Sequence, residues 1–232
     1  MDINKHRLIM LQILKEIYSD KDLSVYLGFK GGTALMFLYQ LPRFSVDLDF
    51  NLLDVKKQQC VYDKVRAILL HYGRIDDEAM KFYGPILVLD YGVGERKLKV
   101  EISNRSFDDH YEVRNLLGIS VRVLSMPDMF AHKLCALLDR PEIAGRDIFD
   151  CWFFLKRHTP LNAFIVESRM GMPLTDYLSK CISRLGTISD KSLMSGLGEL
   201  TDNKMKAFVR SKLRLETIQL LQFFQAFPDI AS

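Results

Sequence analysis

The stretch Arg43-Phe-Ser45-Val-Asp47-Leu-Asp49-Phe50 carries the clearest chemical signal in the chain. On a strand, residues two apart share a face. Ser45, Asp47 and Asp49 then point one way, while Val46, Leu48 and Phe50 point into a core. Two carboxylates on adjacent same-face positions repel, and solvent or a cation must offset the repulsion. Hard oxygen ligands suit Mg²⁺, with Mn²⁺ as the second choice, and Mg²⁺ also binds nucleotide phosphates. The alternative is an exposed edge strand bearing two solvated acids.

Upstream, Lys30-Gly31-Gly32-Thr33 lies between a short apolar run and a helical pattern. Two glycines let the backbone approach a ligand closely, and free N–H groups at a helix start suit phosphate. The Thr33 hydroxyl can cap that helix or touch a phosphate oxygen. Downstream, Lys97-Leu-Lys99-Val-Glu101-Ile-Ser103 alternates again. If it lies beside the first strand, Glu101 completes a three-carboxylate site for one or two metals, with Lys99 offsetting charge. Such a site serves in-line displacement at phosphorus. The alternative is a half-exposed strand with cross-strand ion pairs.

Lys133 falls inside the apolar helical run Met129–Leu138. A buried ammonium is costly without a partner, so it snorkels to the surface or meets an anion. His132, next to it, reads as structural. In Gly145-Arg146-Asp147-Ile-Phe-Asp150, Arg146 and Asp150 are spaced to pair on a helix surface. Asp147 suits the first helical turn. Asp150 sits among Ile148, Phe149, Cys151, Trp152 and Phe153, where a carboxylate needs a cation such as Lys133 or Arg146.

The elements that must hold these residues follow from periodicity. A helix is expected over 3–18, a short strand over Val25–Phe29, a helix over Thr33–Gln40 ended by Pro42, and a strand over Phe44–Leu52. A helix then spans Val55–His71. Strands are expected over Pro85–Asp90 and Lys97–Ser103, and a hairpin over Val113–Leu116 and Ile119–Leu124. Ser125 caps a helix over Pro127–Leu138, and another runs from Gly145 to Arg157. Three or four helices fill 161–227, with breaks at Gly171–Pro173, Gly186 and Gly196–Gly198. The expected organisation is an α+β domain over 1–158, a mixed sheet with flanking helices, followed by a C-terminal helical lobe over 159–232.

Composition removes several classes. The chain has 232 residues, 48% hydrophobic and 26% charged, which excludes disordered and fibrous readings. Charges run through the first thirty residues, no long uncharged apolar stretch follows, and neither secretion nor a membrane span is expected. Cys60, Cys135, Cys151 and Cys181 lack zinc-knuckle spacing and read as free thiols in a reducing cytosol. A net charge of +3 does not by itself declare a nucleic-acid binder. Lys204, Lys206, Arg210, Lys212 and Arg214 are nonetheless five bases with no acid between them. Lys206, Arg210 and Arg214 fall on one helical stripe suited to a phosphate backbone or simply to solvent.

Taken in order, Gly31-Gly-Thr33 and Ser45-x-Asp47-x-Asp49 resemble the opening motif of the DNA polymerase β-like nucleotidyltransferases. Adding Lys99-Val-Glu101-Ile, Lys133-Leu-x-Ala-Leu-x-x-Arg140 and Arg146-Asp-x-x-Asp150, the chain resembles the AbiEii/AbiGii toxins of type IV toxin–antitoxin systems. The resemblance implies a nucleotidyltransferase-like mixed sheet and metal ligation by Asp47 and Asp49, with Glu101 where members often carry Asp. It implies nucleotide contacts from Gly32, Thr33 and Lys133, and a catalytic or orienting role for Asp150 or Asp147; Gly31, Ser45, Lys99, Arg146 and Asp147 are the further candidates for contacting the nucleotide, and Asp47, Asp49, Lys133 and Asp150 the candidate catalytic residues. It further implies Mg²⁺-dependent transfer of a nucleoside monophosphate from NTP to the tRNA acceptor end in the cytoplasm, and neutralisation by a cognate antitoxin. Two other readings remain: the same chemistry on a protein side chain or small molecule, and a non-catalytic nucleotide- or partner-binding module.

Overall fold

The computed structural model describes residues 2–189, 193–194, 196–197 and 202–227. The chain forms two compact units. Unit 1 comprises Met1–Gln40 and Ser45–Leu124, and unit 2 comprises Leu41–Phe44 and Ser125–Ser232. The packing therefore divides after Leu124, where the strands end, whereas the change in residue pattern falls near residue 158. Helices between the two points carry sequence motifs in common with the sheet but bury their apolar faces among other helices.

Unit 1 opens with helix α1 (Ile3–Ser19), which starts where the Asp2 carboxylate accepts the N–H groups of Asn4 and Lys5. Its buried face is Met10, Ile13, Leu14 and Ile17. A single turn, α2 (Leu23–Tyr26), precedes strand β1 (Leu27–Lys30), so the expected strand begins two residues late. Helix α3 (Gly31–Tyr39), strand β2 (Leu48–Leu52), a tight turn at Val55–Lys57 and helix α4 (Gln58–Leu70) follow. Then come β3 (Arg74–Lys81), β4 (Gly84–Asp90), β5 (Leu98–Ser103), β6 (Tyr111–Leu116) and β7 (Ile119–Leu124).

The seven strands make one mixed sheet in the order β3-β4-β5-β2-β1-β7-β6. β2 runs antiparallel to β1 and parallel to β5, and β1 runs parallel to β7. Phe29, Phe50, Leu98, Val100 and Ile102 are fully buried on these central strands. Each such side chain removed from water contributes roughly 1.5–3 kcal/mol. The strand expected over Phe44–Leu52 pairs only from Leu48, so Ser45 and Asp47 stand before the ladder. β3 was not legible in the sequence. Its Arg-Ile-Asp-Asp-Glu-Ala-Met-Lys run is exposed, and pairing with β4, broken by an irregularity between Ile75 and Asp77, makes it a strand.

Unit 2 contains α5 (Met126–Asp139), α6 (Gly145–Lys156), α7 (Ala163–Met170) and α8 (Leu174–Gly186), then helices Asn203–Phe208 and Arg214–Ala226 joined by a π-helical segment, Val209–Leu213. Ser125 caps α5 by accepting the Asp128 N–H. Gly171 ends α7 in the left-handed region at φ 64°. Fully buried Tyr177 donates its hydroxyl to the Leu134 carbonyl at 2.9 Å, and the rings of Phe130 and Phe154 stack with centroids 5.0 Å apart. Of the breaks expected at Gly196–Gly198, Gly198 lies outside the described residues. All four cysteines are free thiols, Cys60 exposed and the others buried. Among the described residues no helix is long and apolar enough to cross a membrane.

Candidate active site

The sheet register assembles the first cluster. β1 pairs Lys30 with Asp49, and β5 pairs Glu101 with the same Asp49. Cross-strand partners share a face, so a cation and two acids form one row across three central strands. At the end of β1 the chain turns through Gly31, at φ +82°, directly into α3. A Cβ on Gly31 would sit 2.5 Å from Asp49 Oδ2. Glycine is therefore required twice there, once by the backbone and once by the carboxylate lying against it. No side chain caps the start of α3.

The backbone carrying Asp47 is held from two sides. Thr33 is fully buried, and its hydroxyl donates to the Asp47 carbonyl. The residue expected to cap the helix or touch phosphate instead ties α3 to the acidic segment. Fully buried His6 binds the preceding Val46 carbonyl through Nε2 at 2.9 Å, while Nδ1 meets the Tyr91 hydroxyl. Because a carbonyl only accepts, Nε2 carries the proton and Tyr91 donates to Nδ1. Burial pushes His6 below its ordinary value, which keeps it neutral. Ser45 is buried, with its N–H against the Met36 sulfur at 3.4 Å.

Electrostatically Asp49 is under-compensated. Burial, followed by the charge of Asp47, raises Asp49, and Lys99 and Lys30 offset only part of this. Among the described residues no side chain hydrogen-bonds to either carboxylate. Glu101 differs: Lys99 Nζ binds its Oε2 at 2.9 Å. Burial works to raise Glu101, but Lys99, Lys30 and Arg105 outweigh it and hold the group low. The third acid thus reaches the neighbouring strand as expected, yet its carboxylate is taken by Lys99, and among the described residues no three acid, His or Cys side chains form a ready-made cage. Lys30, which the sequence reading left without a role, has its own network. Its Nζ donates to Asn51 Oδ1, and Asn51 Nδ2 donates to Asp109 at 2.9 Å and Tyr111 at 2.7 Å. Burial lowers Lys30, with Asp49 acting against it.

A second cluster lies in unit 2. Asp150, fully buried on α6, receives Arg43 Nε at 2.6 Å and Nη2 at 2.7 Å, and Lys133 Nζ at 2.7 Å. The parallel fork of Arg43 fills both carboxylate oxygens. This corrects the expected Arg146–Asp150 pair, since the partner comes from far along the sequence; the Arg146 stem lies instead over Gly196. Burial pushes Asp150 toward the neutral acid, but Arg43 and Lys133 outweigh it and hold the carboxyl low. Lys133 is neither snorkelled nor unpaired. Its ammonium sits 2.7 Å from Asp150 and 3.9 Å from Asp147. Asp147 is buried, and its Oδ2 has no hydrogen bond, only Arg140 Nε at 3.5 Å. His132 takes Arg169 at 2.7 Å, the structural role expected of it.

The basic residues of the expected stripe lie on successive elements, with Arg214 opening the last helix. Lys206 lies on the helix Asn203–Phe208, and Arg210 and Lys212 fall in the π-helical segment. Arg214 donates to the Ile188 carbonyl at 2.5 Å.

The profile of the family described as "Nucleotidyl transferase AbiEii toxin, Type IV TA system" matches residues 12–171. A search of curated proteins returns no match. Among solved structures, a Helicobacter pylori protein assigned as a nucleotidyltransferase is 23% identical with a TM-score of 0.62, covering 97% of this chain and 95% of its own. JHP933 from Helicobacter pylori is 22% identical, TM-score 0.56, covering 98% and 93%. MenT4, a nucleotidyltransferase toxin from Mycobacterium tuberculosis, is 18% identical, TM-score 0.65, covering 97% and 88%. These identities establish a shared fold.

Two stability outcomes follow from the clusters. Arg43→Ala leaves the Asp150 charge buried with half its compensation, and denaturant unfolding at neutral pH should show a loss of about 3–5 kcal/mol. Because Asp150 is held below its ordinary value, its contribution is present above the usual carboxylate range and disappears as pH falls through the lowered value. The variant should therefore lose less further stability on acidification below pH ~4 than the parent does. An Arg43→Ala protein within ~1 kcal/mol of the parent would contradict this account. Asp49→Asn has the opposite sign. It removes a like charge, so in EDTA its Tm should rise by ~2–4 °C, the shift that about 1 kcal/mol gives a chain of this size. A fall in Tm would show that the repulsion is already neutralised.

Proposed function

Since the chain belongs to the AbiEii family of nucleotidyltransferase toxins of type IV toxin–antitoxin systems, we propose that it transfers a nucleoside monophosphate from an NTP to the 3′ end of tRNA in an Mg²⁺-dependent reaction. The observation that carries the metal is the Asp47/Asp49 pair, two carboxylates held together without a hydrogen-bond donor. Asp49 lies against Gly31, where a Cβ would occupy its place. That donor set fits a hard divalent cation, and Asp47 and Asp49 would hold it; Glu101, ion-paired to Lys99, tunes the site's charge. Such a cation would draw charge from the triphosphate and favour the ionised acceptor hydroxyl.

The chain's own groups account for the remaining requirements. Uncapped N–H groups at the start of α3, from Gly32 and Thr33, suit phosphate oxygens, and the positive end of the helix favours their charge. Lys99, kept protonated by Glu101, adds a fixed cation. In unit 2, Asp150 and Arg43 orient Lys133 as a phosphate-binding ammonium, and Asp147 retains an oxygen with capacity for one more donor. Asp150 itself, bound on both oxygens, is a positioning group and a poor proton acceptor. In the reaction the acceptor oxygen bonds to the α-phosphorus, the bond to the β-phosphate oxygen breaks, and pyrophosphate leaves. A cognate antitoxin restrains the enzyme in the cytoplasm.

Incubation with total tRNA and each α-labelled NTP, with Mg²⁺ or with EDTA, tests the reading on a denaturing gel. One NTP should label a tRNA band, and both EDTA and Asp47→Ala/Asp49→Ala should abolish it. Label on protein, or none, would overturn the assignment of acceptor. Lys133→Ala should raise the apparent KM for NTP about tenfold or more, the loss expected for a charge-assisted phosphate contact of roughly 1.5–3 kcal/mol. An unchanged KM with a lowered Tm would make Lys133 structural only.

A further inference from the structure

At the C-terminal end of β5, past Glu101, stands a feature that the reaction itself does not use. The turn between β3 and β4 carries Phe82 and Tyr83, with relative exposures of 88% and 53%. Their rings meet edge-on with centroids 4.9 Å apart. Arg105, just beyond β5, places its guanidinium 4.8 Å from the Tyr83 ring centre. We propose, resting on the reading of RNA as the acceptor, that Phe82, Tyr83 and Arg105 form a platform on which unpaired bases of that RNA stack.

Exposed aromatics on a loose loop would mean little, but this turn is fixed. Gly84, at φ +108°, lies so close to β5 that a Cβ would come 2.2 Å from the Ile102 carbonyl oxygen. The Asn104 N–H donates to the Tyr83 carbonyl at 3.0 Å, and Asn104 Nδ2 donates to Gln58 Oε1 at 3.2 Å. The rings are thus held in place before any ligand arrives, and little order is lost on stacking. The same ties bind the turn to β5, which carries Glu101, and Arg105 is among the charges acting on both Glu101 and Lys30.

Charge selects nucleic acid over a protein occupant. Lys81 adjoins the aromatic pair, and Lys56 and Lys57 precede Gln58, whose amide reaches the Met80 sulfur at 3.2 Å. All three lysines are exposed. Glu78, a nearby acid on β3, is already occupied by Arg66 at 2.7 Å and Tyr62 at 2.8 Å. Lys57 also lies over the Tyr26 ring, 5.6 Å from its centre, which leaves Lys81 and Lys56 as the exposed cations beside the platform; stacking surfaces flanked by cations are what single-stranded nucleic acid requires, π-faces for bases and positive charge for phosphates.

The test is fluorescence anisotropy of a fluorescein-labelled, single-stranded oligoribonucleotide about a dozen residues long, titrated with the full chain. Phe82→Ala/Tyr83→Ala should weaken binding about tenfold or more, with the salt slope unchanged because no phosphate contact is removed. Phe82→Tyr/Tyr83→Phe, which keeps both rings, should bind like the parent. In turnover, the alanine pair should raise KM for tRNA and leave KM for NTP alone. Parent binding without RNA labelling would reject the acceptor reading and leave the platform standing. Absence of oligoribonucleotide binding by the parent, or an affinity unchanged in the alanine pair, would overturn the platform. So would an alanine pair that loses antitoxin binding while keeping its RNA affinity.

Discussion

Asp47 and Asp49 carry like charges on neighbouring positions, and unit 1 is arranged to keep them together. Left alone, the short segment would splay to let each carboxylate find water. It does not, because Thr33 grips the Asp47 carbonyl and His6 grips the Val46 carbonyl, while the β2 ladder fixes Asp49 from the other side. Gly31 supplies room for the Asp49 oxygen at the one place where α3 and the sheet converge. Lys30 and Lys99 flank the pair without binding it, so part of the repulsion is left standing.

Unit 2 solves the reverse problem. Its buried carboxylate, Asp150, is saturated by Arg43 and Lys133, and the cost of desolvating these charges is offset by short, well-aligned contacts. The result is a lysine whose orientation is dictated from behind, with Asp147 loosely held alongside. A compensated cluster of this kind gives an ammonium a definite direction, which a solvated lysine on a four-carbon stem does not have.

The parts of the site that lie close in sequence were legible: the glycine turn, the acid pair, and the glutamate strand, whose alternation implied the face it presents. Pairing at a distance was legible only in part: the sequence points to Lys133 as a cation for Asp150, but not to Arg43. Asp150 has Arg146 four residues away on its own helix, and local spacing favours that partner; the geometry that wins joins it to Arg43 instead. Thr33 was misread for a related reason. A hydroxyl at a helix start satisfies capping rules, but burial under the acidic segment offered it a carbonyl. Lys30 adjoins the glycines, and its place at the end of an apolar strand was the available signal. β3 escaped notice because an exposed, acid-rich edge has no apolar alternation to announce it. The π-helical segment is equally silent in sequence.

An open seven-stranded sheet has two rims, and both are defended. β3 ends one side with Arg74, Asp76, Asp77, Glu78 and Lys81, and its ladder is interrupted near Asp76. β6 ends the other with Glu112 and Arg114 bracketing Val113. A strand added to either rim would meet charge of both signs, and at β3 an irregular spacing of backbone groups as well. The consequence is that copies of this chain offer one another poor templates for edge-to-edge accretion.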